Sequence, residues 1–430
     1  MLEATPNNRP VVIVDPYSSG QALARRFLAR GVPCVAVLSS TGVHEVLLDH
    51  WRPQDFTHVH RFDGDVAALA AAVAEHEPRC IIAAFESGVE LADALIDIVL
   101  PGTGNVPGMT AARRDKYQMA LALKDAGVPH LRQVCTDRHA DVEQWIRANG
   151  LEHTPLVVKP PKSAGTDDVY RVEAGADWRP TFDRILGKVN VMLGRNDTVL
   201  VQEFAAGTEY IVDTYSADGR HGLVDLCRYT KSSRGERLGI YDCIDFLAPD
   251  DPVVDTLLTY TRRVLDALGI RNGAAHAEVM LTDAGPVLIE VGARPAGSAH
   301  QEIACIATGD SQLDRHVAHR VDGLHELGFE LRRHVRIAFL SSPRAGVLRN
   351  GEILERIDGL ASFHSKTLYF GSGDEVPATV DFTTPLGFVV LADDEQQIGA
   401  DYAAFKDLES RLQVHTPVDL EGPRPTYAEV

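Results

Sequence analysis

The stretch from His276 to Arg294 constrains this 430-residue chain more than any other. Val279, Leu281, Val287, Ile289 and Val291 alternate with other residue types on either side of Asp283-Ala284-Gly285. This pattern predicts two short strands joined by a three-residue hairpin loop, with glycine where positive φ is needed. If Thr282 pairs with Pro286, Glu278 stands opposite Glu290, with Cβ atoms about 4.5–5.5 Å apart on one face. Opposed carboxylates repel unless a positive charge lies between them. Arg294, on the same face by the period of two, is one candidate; a divalent cation is the other. Three readings follow. The acids face solvent; or they hold Mg²⁺, which takes one or two protein carboxylates and completes its shell with water and phosphate oxygens; or they are a glycosidase acid/base pair. Phosphate-handling groups elsewhere in the chain decide among them.

Several are present. Pro155–Lys159 reads as a strand ending on a lysine. The Pro160–Asp168 loop that follows, with Ser163, Gly165 and Thr166, returns to a strand at Val169. A loop of this kind lays backbone N–H groups over phosphates, although no Walker A motif is present. Lys116 lies in a helix expected to open at Arg113 and close at Gly127. Thr198–Phe204 is a buried strand broken at Ala205-Ala-Gly207 and resumed at Thr208–Asp213. Such a strand end can present backbone groups to an adenine ring and Glu209 to ribose hydroxyls.

The first 105 residues alternate strands (Val11–Asp15, Cys34–Leu38, Arg79–Phe85) with helices (Gly20–Arg30, Asp65–His76, Ser87–Leu100), which predicts a parallel α/β sheet. The first turn lacks Gly-x-Gly-x-x-Gly, so a dinucleotide site is not expected. Glu86 ends the third strand. It is either an acid favoured by a helix N-terminus or a residue facing the ligand crevice at a strand end.

Formal net charge is −19, which argues against nucleic acid or an anionic membrane as partner. The N-terminal residues lack a signal-peptide core, and no apolar run approaches the roughly 20 residues that span a bilayer, so a cytoplasmic protein is expected. Six cysteines without a Cys-x-x-Cys pair read as free thiols, and His316 and His319 as helix residues with no third zinc ligand nearby. Lys231–Glu236 reads as a solvated loop. Runs at Val335–Leu340 and Leu386–Ala392 predict a β-rich C-terminal part.

Gly102-Thr-Gly-Asn105, Arg113-Arg-Asp-Lys116, Ala275-His-Ala-Glu278 and Ile289-Glu-Val-Gly-Ala-Arg294, in this order, resemble the ATP-grasp superfamily of carboxylate–amine ligases. The likeness spans nearly the whole chain and is that of the bacilysin-type L-amino acid (dipeptide) ligases and dapdiamide synthase. It implies an α/β and α+β multidomain chain. An N-terminal parallel α/β domain (1–105) is followed by an ATP-grasp domain (106–330, flexible lid about 130–205) and a C-terminal β-rich lid (331–430). It implies ATP and Mg²⁺, with Mn²⁺ able to replace it. Lys116 and Lys159 would lie on the phosphates, Gln202, Glu203 and Phe204 at adenine, Glu209 at ribose, Glu278 and Glu290 on the metal. Arg294 and Lys159 would act in catalysis, with Glu86, His276, Arg294 and Gly297 around the substrate. The implied reaction joins an amino-acid-like carboxylate to an amine through an acyl phosphate. The rivals are charging of a carrier thiol, carboxylation with bicarbonate, and a non-catalytic nucleotide-binding scaffold. Partners are small molecules, with a second copy of the chain as a candidate. One departure stands out: many members carry Asn two residues after the second metal glutamate, and here Gly292 occupies that place.

Overall fold

Val11–Val14 (β1) is four β-branched residues with no exposed surface, flanked by Cys34–Leu38 (β2) and Cys80–Ala83 (β4), with His58–Arg61 (β3) outermost. A strand apolar on both faces is suited to a sheet covered on both sides. The sheet runs β3-β2-β1-β4, and its three pairings are parallel. Ser19–Ala29 (α1) packs on one face, Val66–Ala74 (α2) and Val89–Val99 (α3) on the other. The computed structural model describes residues 9–39, 51–234, 237–297, 299–381 and 384–416. The chain falls into two compact units: Met1–Thr230 with Asp245–His334, and Lys231–Ile244 with Val335–Val430.

The rest of the first unit holds two antiparallel arrays. Lys116–Asp125 (α4) and His139–Asn149 (α5) flank Gln133–Thr136 (β5) in sequence; Leu156–Lys159 (β6), Tyr170–Val172 (β7), Arg179–Ile185 (α6) and Val199–Glu203 (β8) follow. In one array β6 and β5 pair with β8, and β7 pairs with β6. Leu156, Val158, Tyr170, Val172, Val199 and Val201 fill its core with Phe182 and Trp178. The other array is built from Thr208–Ala217 (β9), the start of Arg220–Arg234 (β10), Gly273–Thr282 (β12) and Gly285–Gly292 (β13). Arg237–Phe246 (β11) lies mostly in the second unit. Val254–Ala267 (α7) covers one face of the β9–β12–β13 array, burying Leu257, Tyr260, Val264 and Leu265 against Val212, Ala277 and Val279. His300–Thr308 (α8) and Gln312–Val317 (α9) complete the unit. In the second unit His334–Leu340 (β14) pairs with β11 and with Gly387–Asp393 (β18), and Phe363–Leu368 (β16) pairs with β18. Gly346–Leu348 (β15), between Glu375–Val376 (β17) and Val414–His415 (β19), forms a small second sheet, and Glu395–Ser410 (α10) packs its Phe405 and Ile398 into the same core.

The structure corrects several sequence expectations. The helix expected from Arg113 begins at Lys116, because the Asp115 carboxylate accepts from the Tyr117 and Gln118 amides and caps it there. Lys231–Arg234, read as loop, lie in β10; Gly235 and Glu236 fall outside the described residues. The hairpin loop has two residues, not three: Thr282 pairs with Gly285, whose φ is 113°. An irregularity between Glu278 and Val279 on β12, with Ile289 the extra residue opposite, restores the expected pairing beyond it. Glu278 therefore faces Glu290 as expected, while Leu288 takes the core position expected of Val287 and Ile289.

Candidate active site

Register assembles the site. On β12, Ala275, Ala277 and Val279 pair with Thr214, Val212 and Tyr210 over the α7 core. The alternate residues His276, Glu278 and Met280 pair with Asp213, Ile211 and Glu209, so His276, Glu278, Glu209, Asp213 and Glu290 share the opposite face. In the other array, Lys159, Gln202 and Gln133 alternate with the core residues of β6, β8 and β5 and share a face. Gln202 donates its side-chain amide to Gln133, which donates to the Lys116 carbonyl at 2.9 Å. Lys116 Nζ reaches Glu290 Oε2 at 2.6 Å and donates to the Ser163 carbonyl at 3.0 Å. One lysine thus touches the glutamate pair and the small-residue loop together.

Four consecutive residues at the start of α4 have four separate tasks. Arg113, 1% exposed, donates to Asp93 and to the Leu268 and Val106 carbonyls, fixing its segment in place. Arg114 lies 3.1 Å from Glu86, Asp115 caps α4, and Lys116 enters the site. Glu86 is buried between Arg114 and Arg294, whose Nε donates to it at 2.9 Å. Burial would raise the Glu86 carboxyl, but Arg294, then Arg114 and Lys116, hold it below the usual carboxylate range. Arg294 does not lie between the two glutamates as one expectation had it. Positive groups on that pair include Lys116 on Glu290 and His276, whose Nε2 is 3.8 Å from Glu278. Gly292 has a steric reason here. A Cβ on it would stand 3.0 Å from Arg294 Cζ and 3.1 Å from Glu86 Oε2, so a side chain here would require the arginine–glutamate pair to give by a few tenths of an ångström.

Lys159 is buried beneath this cluster. Burial and the nearby Lys116 charge lower its ammonium to about 8, against the pull of Glu290, Glu278 and Glu209. The loop over it carries left-handed backbone at Gly165, Thr166 and Asp168. It is tied down by Ser163 Oγ donating to Asp167, by Val191 N donating to the same carboxylate, and by Lys188 on Asp168. The Glu203 carboxylate is engaged by the Arg132 backbone amide and guanidinium, and Arg171 lies 4.4 Å over the Phe204 ring. Gly297 sits where a Cβ would be 3.5 Å from Ser18 Oγ, at the start of α1.

Sequence reasoning missed a buried chain behind Glu278. His276 Nδ1 is 2.6 Å from Asp213 Oδ1, and His300 Nε2 is 3.1 Å from both Asp213 Oδ2 and Asp225 Oδ1. Burial opposes charge on both imidazoles, but the carboxylates win, raising His276 to about 9 and His300 to about 10. Asp213, although buried, is held below the usual range by His276 and His300. These residues lie far apart in the sequence, and only the preference of buried charges for partners hints at them.

As carboxylate oxygens facing across one residue pair, Glu278 and Glu290 are the donor type a hard divalent cation takes, and the cationic groups around them suit a polyphosphate. The ATP-grasp domain family matches residues 152–302. Dapdiamide A synthase of Enterobacter agglomerans is 32% identical over 417 residues, 94% of this chain and 96% of that protein. The L-arginine-specific L-amino acid ligase of Bacillus subtilis is 23% identical over 194 residues, 44% of this chain and 46% of that one. The crystal structure of an L-amino acid ligase from Bacillus licheniformis superposes with a TM-score of 0.72 at 17% identity, covering 96% of this chain and all of that one. Domain match, full-length relative and site geometry agree: the chain belongs to the ATP-grasp family and is an ATP-dependent carboxylate–amine ligase.

Proposed function

We propose that the enzyme activates the carboxylate of an amino acid or amino-acid-like acid and couples it to the amine of a second one, forming a small amide or dipeptide of the natural-product kind. The name of its relative from Enterobacter agglomerans supports that product class. The observation that carries the reading is Glu278 opposite Glu290, with Lys116 on one of them and Lys159 buried alongside. Glu278 and Glu290 would hold Mg²⁺, which would supply neutralisation of the phosphate charge. Lys116 transfers from Glu290 to the phosphates, where Lys159 joins it under the Ser163, Gly165 and Thr166 loop. Gln202 and Phe204 border the adenine and Glu209 the ribose. Glu203 contributes through its main chain, since its carboxylate belongs to Arg132. Arg294, steadied by Glu86, orients the reacting carboxylate, with His276 and Gly297 beside the substrate.

The carboxylate oxygen attacks the γ-phosphorus and the bond to ADP breaks. The amine nitrogen then attacks the acyl carbon, the bond to phosphate breaks, and the amine proton leaves to water or phosphate. The protein's share is positioning and charge, as phosphoryl transfer requires. We assign residues 1–105 to a pre-ATP-grasp domain, 106–330 to the ATP-grasp domain and 331–430 to the β-rich lid. The enzyme works in the cytoplasm on small molecules, with a second copy of the chain as its candidate protein partner.

A screen of paired amino acids for ADP release, with product mass, tests this. An amide of two screened acids is expected. ADP formed only with bicarbonate, or only with a carrier thiol, overturns it. Glu290→Ala and Arg294→Ala are each expected to cost about 3–4 kcal/mol of transition-state stabilisation, roughly 10²–10³ in turnover, in a folded protein.

A further inference from the structure

Away from the ATP site, three imidazoles meet at the edge of the parallel sheet. His58 and His60 lie two residues apart on β3 and pair with Val35 and Val37, so both point to the face that α2 covers. There they continue, on the outermost strand, the rows Val12–Val35 and Val14–Val37 that form the core beneath Leu69, Ala70 and Val73. His76, two residues beyond α2, arrives at the same place. The His76 ring centroid is 4.9 Å from that of His58 and 5.1 Å from that of His60, and the Nε2 atoms of His60 and His76 are 2.8 Å apart. Such a contact allows one shared proton and no second one, so at least one ring is neutral and offers a lone pair. Partial burial lowers the imidazoles of His60 and His76, with the charge of His76 and His58 adding to it at His60 and that of His58 at His76, favouring the form that ligates metals. Glu75 lies near enough to oppose that shift at both rings and adds a carboxylate.

We propose that His58, His60 and His76, with Glu75 beside them, bind a first-row divalent transition ion of the zinc class and so fasten the edge strand β3 to the end of α2. Imidazole nitrogen suits Zn²⁺, Ni²⁺ and Cu²⁺, whereas Mg²⁺ prefers oxygen, so this site and the glutamate pair select different ions. For His60 and His76 the geometry is close. With metal–nitrogen bonds of about 2.0–2.1 Å in a tetrahedral arrangement, two ligating nitrogens stand roughly 3.3–3.4 Å apart. Replacing the shared proton by an ion thus asks His60 and His76 to separate by about half an ångström. His58, exposed and with no hydrogen bond among the described residues, turns about its own side-chain torsions to supply the third nitrogen.

The test uses the full chain, stripped with a chelator and held in excess Mg²⁺ to occupy oxygen sites. One equivalent of Co²⁺ is expected to give the visible d–d bands of nitrogen ligation, displaced by one equivalent of Zn²⁺, and Zn²⁺ is expected to raise the thermal midpoint. His60→Gln and His76→Gln should each weaken Co²⁺ binding at least about tenfold, since even outer-shell losses cost that much. Their circular dichroism and ATP binding should be unchanged, and Glu278→Gln should bind Co²⁺ as the wild type does. The absence of bands at equimolar Co²⁺ overturns the site. So does undiminished binding by the His60→Gln/His76→Gln double variant, or loss of the bands in Glu278→Gln.

Discussion

Lys159 carries the clearest residue-scale consequence. With its ammonium lowered to about 8 by burial and by Lys116, it is charged below that pH and neutral above it. Affinity for ATP should therefore fall as pH rises through about 8, read by calorimetry, and Lys159→Arg should move the break out of this range because arginine does not deprotonate there. A wild-type profile flat from neutral to pH 9 would contradict the assignment. The chain behind Glu278 makes a second prediction. Asp213 holds His276, and His276 faces Glu278, so under the proposed metal assignment Asp213 would orient a metal carboxylate through His276. Asp213→Asn should weaken Mn²⁺ binding by about 10–100-fold, measured by electron paramagnetic resonance of the free ion, with the circular dichroism preserved. Equal Mn²⁺ affinity in the variant would remove His276 and Asp213 from that role.

At the scale of elements, the β12–β13 hairpin depends on a single extra residue. Ile289 lets a two-residue turn coexist with the Glu278–Glu290 pairing; paired in a regular ladder instead, it would stand opposite Glu278 and turn Glu290 toward the core opposite Ala277. Deleting Ile289 should remove the bulge yet leave Glu290 directly after Leu288, opposite Glu278 on the site face, so Mn²⁺ binding should survive; its loss would show that the bulge itself shapes the site. The break between β8 and β9 is as tightly specified. A Cβ on Gly207 would stand 2.2 Å from the Leu281 carbonyl oxygen, which is backbone and cannot rotate away. Gly207→Ala should thus destabilise the protein by about 1–3 kcal/mol in chemical denaturation, the usual range for overpacking. Stability equal to the wild type would show that the hairpin shifts freely against β9.

For the whole molecule, the buried histidines tie stability to pH. His300 is raised from 6.5 to about 10 by Asp225 and Asp213 acting against burial. A raised imidazole contributes stability that is complete below the unfolded value and is lost as pH rises through the folded one. The excess thermal midpoint of the wild type over His300→Gln should therefore be largest below about pH 6.5 and shrink toward pH 10. A gap that widens with alkalinity would reverse the assigned charge. What was readable in advance follows the same physics. Alternation and turn residues placed strands at 11–15, 155–159 and 198–204 and a hairpin at 276–294, because side-chain direction in a strand is local, while the facing of Glu278 and Glu290 rested on an assumed three-residue loop. The ligase chemistry came from the family resemblance carried by the motifs at 102–105, 113–116, 275–278 and 289–294. Tertiary structure decided the rest. Leu288 and Ile289 are equally apolar, so only packing under α7 could choose which enters the core. Arg294 went to Glu86, 208 residues away, and Lys116 to Glu290, because a buried charge takes whichever opposite charge the fold brings near, and sequence distance carries no record of that meeting.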